Sequence, residues 1–123
     1  MAENKDYITR ELDNGTVNIN EEVLSTIAAA AVKDVEGVVG LNGNLSEDIA
    51  GFLGRRSVGK GIKITLNEDS VQVDCNLVVL YGHSVLEIAR NVQNVVTNAI
   101  ESMTGLHVEH VDVNICAITM AKA

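Results

Sequence analysis

The chain has 123 residues, a formal net charge of −8 and 46% apolar residues, yet its aromatics are limited to Tyr7, Phe52 and Tyr81. That length closes one aliphatic core without disulfide or metal staples. The acidity argues against a non-specific nucleic-acid binder, and scarce rings remove the stacking platforms that single strands need.

Residues 1–13 mix charges without a period, which predicts a flexible N-terminal arm ahead of one domain over 14–119 and a tail at 120–123. Asn14-Gly15 marks a turn, and Val17 and Ile19 alternate as the inward side of a first strand. Asn20 is a good N-cap, with Glu21 and Glu22 suited to the positive helix end. The first helix continues through Val23, Leu24, Ile27, Ala28, Ala31, Val32 and Val35 and stops at Gly37. Its alanine block, 28–31, favours helix and lets it approach a sheet closely.

Residues 37–61 read as a glycine-rich basic insertion. Seven of the ten glycines fall there, and Arg55, Arg56, Lys60 and nearby Lys63 gather four of the nine basic residues. Beyond it, Ile62, Ile64 and Leu66 alternate with Lys63 and Thr65. After the turn Asn67-Glu68-Asp69-Ser70, Val71, Val73, Cys75, Leu77 and Val79 form the buried set of a second hairpin strand.

Ser84, followed three residues later by Glu87, is a capping-box signature. Val85, Ile88, Val92, Val95, Val96, Ile100 and Met103 then keep to one helical face, and Gly105 stands where a left-handed cap is wanted. The period then changes from 3.6 to 2, with Val111, Val113, Ile115 and Ala117 dry and His110, Asp112, Asn114 and Cys116 wet. The order β-α-β-β-α-β predicts an α+β fold, a two-layer sandwich with a mainly antiparallel sheet and two main helices on one face. Cys75 falls on buried parity and Cys116 on polar parity, so both are expected to stay reduced.

Catalytic signatures are weak. Gly54 to Gly61 comes within one residue of a phosphate-loop pattern, but it lacks the magnesium-binding hydroxyl and precedes a strand instead of opening a helix. A glycine-rich basic loop can still hold a single anion on its N–H groups, which keeps a phosphometabolite sensor as the alternative function. Gly51-Phe52-Leu53-Gly54 fits a GXXG clamp only superficially, since its apolar middle suits a core. His110, Asp112 and, across the sheet, Asp74 share an outer face without recognised metal-ligand spacing. No nucleophile, base and orienting group can be assembled on defensible spacing, so no catalytic residue, metal or cofactor is assigned.

The basic cluster could also meet a membrane. Four cations at ~1 kcal/mol each reach only millimolar affinity, so direct membrane binding is not expected. No apolar run approaches the ~20 residues of a spanning helix. The N-terminal sequence MAENKDYITRELDN lacks a hydrophobic signal region, which predicts a cytoplasmic protein.

Several stretches carry a resemblance: GTVNINEEVLSTIA at 15–28, VEGVVGL at 35–41, VQVDCNLVVLYGHSV at 71–85 and VQNVVTNAIESMTGLHVEHVDVNI at 92–115. With the Gln93-Asn94-Val95 and Met103-Thr104-Gly105-Leu106 signatures, the chain resembles the alkaline shock (general stress) protein family of Gram-positive bacteria. The resemblance implies a non-enzymatic, cytoplasmic protein of the envelope or alkaline stress response. Some members of that family reach the membrane through a small integral membrane relative. It therefore implies a protein-interaction module near the cytoplasmic membrane face, with a protein partner of that kind or a second copy of itself. The family offers no agreed active site to transfer. Arg55, Arg56, Lys60 and Lys63 are the candidate partner- or anion-binding residues.

Overall fold

The computed structural model describes residues 7–42 and 61–120. It opens with a hairpin of β1 (Tyr7–Leu12) and β2 (Gly15–Asn20), paired antiparallel from Tyr7↔Asn20 to Leu12↔Gly15. Residues 7–12 are thus a strand and not part of an arm. Ile8 sits opposite Ile19 and is 2% exposed, so the hairpin's base reaches the core. Val17, expected inward, is exposed because it lies nearer the hairpin tip, beyond that core.

Helix α1 (Glu21–Lys33) starts where Asn20 Oδ1 accepts the Glu22 N–H at 2.6 Å. It buries Leu24, Ala28, Ala29 and Val32. Strands β3 (Val38–Leu41) and β4 (Ile62–Leu66) both run antiparallel to β5 (Ser70–Leu80). They occupy successive lengths of the same β5 edge. At the join, the Asn42 N–H donates to the Asn76 carbonyl and the Asn76 N–H to the Gly61 carbonyl, each at 2.8 Å. The chain therefore leaves the sheet after Asn42 and re-enters it at Gly61 beside a single β5 residue.

Helix α2 (Val85–Thr104) follows, with Ser84 Oγ accepting the Glu87 N–H at 3.2 Å. It ends on Gly105 at φ 76°, whose N–H bonds the Glu101 carbonyl at 2.9 Å. A left-handed cap at glycine carries no Cβ penalty. The Arg10 side chain of the hairpin lies beside Gly105, where a cation favours the helix's negative end. Strand β6 (His107–Thr119) then pairs parallel with β5 over its length, so β5–α2–β6 is a crossover unit.

The fold is an α+β sandwich, as expected, and three of the four strand pairings among the described residues are antiparallel. The element order differs from expectation. β2 leaves the main sheet to pair with β1, and β3 is an added strand within the stretch read as insertion. Val71, Val73, Cys75, Leu77 and Val79 bury one face of β5 against Leu24, Ala28 and Val32 of α1 and Ile88, Val92, Val96 and Ile100 of α2. Each such aliphatic side chain stabilises by roughly 1.5–3 kcal/mol when fully buried. Val85 and Met103, in the first and last turns of the expected helical face, are exposed.

Candidate functional site

Because side chains alternate along a strand, the helix-covered face of β5 implies an opposite face left open. There Gln72, Asp74 and Asn76 of β5 are half-buried. Register sets Lys63 of β4 and Asp112 of β6 on either side of Asp74, and Thr65 and His110 on either side of Gln72. Asn76 stands beside Asn114. Asn114 Nδ2 donates to Asn76 Oδ1 at 2.9 Å and to Asp74 Oδ1 at 3.3 Å. The open face is therefore a knitted polar surface.

The alternation brings His110, Asp112 and Asp74 to this face, as the sequence predicts, but not into a ligand set. Among the described residues no group of three or more His, Cys, Asp or Glu side chains could hold a metal ion. Of the candidate contact residues, Lys63 is exposed on this face. Arg55, Arg56 and Lys60 lie outside the described residues.

Glu109 is an open-face residue that alternation misses. The β5–β6 register shifts between Val71 and Gln72, where Glu109 is the extra residue of a bulge. Its carboxylate accepts from Gln72 Nε2 at 3.0 Å, Ser70 Oγ at 3.1 Å and Asn67 Nδ2 at 3.5 Å. Donors from Gln72 first and Ser70 second hold this carboxyl below its ordinary value. A second shift, between Leu77 and Val78, leaves Cys116 as the extra residue. Both cysteines are free, Cys75 buried and Cys116 exposed.

The outer edge of β6 is answered in part by α2. Glu101 Oε2 accepts the Val108 N–H at 3.0 Å and lies 3.5 Å from His107 Nδ1. Gln93 Nε2 donates to the Val111 carbonyl at 3.1 Å. Among the described residues no helix is long and apolar enough to cross a membrane.

Residues 9–120 match the model of the alkaline shock protein 23 family, described as having a cell envelope-related function. The Bacillus subtilis (strain 168) protein YqhY, itself uncharacterized, is 32% identical over 104 residues, spanning 85% of this chain and 77% of that protein. A Streptococcus pyogenes serotype M3 protein named as a stress response regulator gls24 homolog is 27% identical over 105 residues. That match spans 85% of this chain and 59% of the relative. Among solved structures, MamM-CTD superposes with a TM-score of 0.50 at 15% identity, over 80% of this chain and 99% of that one. At such identity the likeness is one of fold alone.

Proposed function

The chain belongs to the alkaline shock protein 23 family, of cell envelope-related function, and from that premise we propose that it is a non-enzymatic interaction module of the envelope stress response. The relatives named as stress response regulators support the stress role. The observation that carries the interaction reading is the open face. Its ionisable groups lie spread across a sheet, with Asp74 answered by the Asn114 amide and Glu109 by Gln72, whereas a reaction centre gathers them around one point. A face of this kind suits contact with a protein partner.

In this reading the module works in the cytoplasm and reaches the membrane through a partner, either an anchored relative or a further copy of the chain. The cation set Arg55, Arg56, Lys60 and Lys63 is the proposed contact for an acidic partner surface, with Lys63 extending it onto the open face. Charge at an interface rim acts mainly on partner choice and association rate. Replacing Arg55 and Arg56 by Gln in the tagged full chain should lower partner recovery in pull-downs from envelope-stressed cells. Unchanged recovery would remove these residues from the interface. Phosphorylated metabolites should leave the melting temperature unmoved, whereas a rise would favour the anion-sensing alternative.

A further inference from the structure

In a hydrogen-bonded pair of an antiparallel ladder, one residue exchanges both its N–H and its C=O with the single residue opposite. Asn76 divides those two bonds between residues far apart in sequence. Its carbonyl accepts from the Asn42 N–H and its own N–H donates to the Gly61 carbonyl, each at 2.8 Å. On either side the register runs on without a skipped place, with Leu41 opposite Leu77 and Ile62 opposite Cys75. Asn42 and Gly61 together therefore fill one ladder position. A Cβ on Gly61 would meet Leu41 Cβ at 2.8 Å and the Asn42 backbone nitrogen at 3.1 Å, so the outgoing and incoming chains touch there.

The side-chain alternation crosses the gap as well. Leu41, Ile62, Ile64 and Leu66 pack on the core, while Lys63 and Thr65 are exposed. With Asn42 as the residue between Leu41 and Ile62, the order Leu-Asn-Ile-Lys-Ile-Thr-Leu has the strict in–out period of a single strand. Hydrogen bonding and burial thus give the same splice point independently.

We infer that β3 and β4 are one edge strand opened at a single ladder position, that the sheet closes without residues 43–60, and that the chain keeps those residues for recognition of a partner. The inference deepens the interaction reading above and rests on it for its last step. The chain-entropy cost of an insertion between fixed, neighbouring ends grows only with the logarithm of its length. Segments inserted in this way carry contacts that the scaffold itself does not require. The sequence between Asn42 and Gly61 holds Arg55, Arg56 and Lys60, three of the nine basic residues of a chain with net charge −8. A chain of that charge repels an acidic protein surface as a whole. Cations gathered on one insert offset that repulsion locally and select where such a surface docks.

Deleting residues 43–61 in the tagged full chain joins Asn42 to Ile62 and restores one residue opposite Asn76. This variant is expected to keep the wild-type circular dichroism and to melt cooperatively within about 5 °C of the wild type. Two same-length replacements of 43–60 leave both ends in place, one Gly/Ser throughout and one Gly/Ser but retaining Arg55, Arg56 and Lys60. Both should melt like the wild type. In pull-downs from envelope-stressed cells, the proteins recovered by the wild type should fall about tenfold with the deletion and the plain linker, and return with the cation-bearing linker. Loss of cooperative melting in the deletion or in the plain linker would overturn the inference. So would folded variants that recover the same proteins as the wild type. A folded deletion that loses them while Arg55→Gln and Arg56→Gln do not would instead sink the choice of cations and leave the split strand standing.

Discussion

Gly37 shows how one residue constrains two elements at once. It turns the chain from α1 into β3 at φ 93°, and a Cβ there would meet Ile88 Cδ1 at 2.7 Å and Cγ1 at 3.0 Å. Gly37→Ala thus combines a left-handed backbone cost of roughly 1–2 kcal/mol with an overpacking cost of about 1–3 kcal/mol. Denaturant unfolding should show a loss of about 2–5 kcal/mol, the sum of those two ranges. Trimming the neighbour with Ile88→Val removes the nearest atom and should recover part of that loss. Strictly additive effects in the double-mutant cycle would place the whole cost in the backbone. The sequence placed the end of α1 at this glycine, whereas the helix stops earlier, at Lys33 with Asp34 as its C-cap. The neighbouring Ile88 belongs to a helix some fifty residues further along, and no local pattern reports such an approach. Glu109 is hidden for a related reason. An extra residue in one strand is defined only against the register of its neighbour, so the alternation reading began cleanly at His110 and passed over it.

At the scale of elements, legibility followed how much of each element's stability is local. Helix α2 announced itself through Ser84, Gly105 and a long apolar stripe, and the structure places it at Val85–Thr104. Strand β5 was equally legible because five alternating aliphatic or thiol side chains bury one face. Strand β1 was not, since Tyr7–Leu12 has a single buried residue, Ile8, followed by the adjacent charges Arg10 and Glu11, and it becomes a strand only by pairing with β2. Lys63 was placed correctly on a wet face by alternation, whereas the cations before it have no period to read. The hairpin's docking can be tested through its two apolar ends. Ile8→Ala empties a core position and should cost about 2–5 kcal/mol. Leu12→Ala, at a site 57% exposed, should change stability by no more than ~0.5 kcal/mol. Equal and negligible effects would return residues 7–12 to the status of a loose arm.

For the molecule as a whole, two groups on opposite faces of the same sheet bracket the pH range in which the fold is most stable. Burial first, and the neighbouring Asp74 charge second, push the Cys75 thiol from 9.0 up to about 12. Between those values the unfolded chain has released this proton while the folded chain retains it. Stability is therefore full below pH 9 and falls as pH rises, by about 1.4 kcal/mol per unit at most. Glu109 acts in the other direction. Its carboxyl is held below 4.5 by Gln72 and Ser70, so the unfolded chain binds the proton first as pH drops. That contribution is present above the ordinary carboxyl range and is lost as pH falls through the folded value. Urea midpoints measured across pH should show an alkaline decline that flattens in Cys75→Ala and an acid decline that shrinks in Glu109→Gln. Each substitution should leave the opposite limb in place, because the thiol is sealed beneath the helices and the carboxylate sits on the open face. An alkaline limb unchanged by Cys75→Ala would assign it to other groups, and the buried thiol would then have no part in the protein's response to alkali.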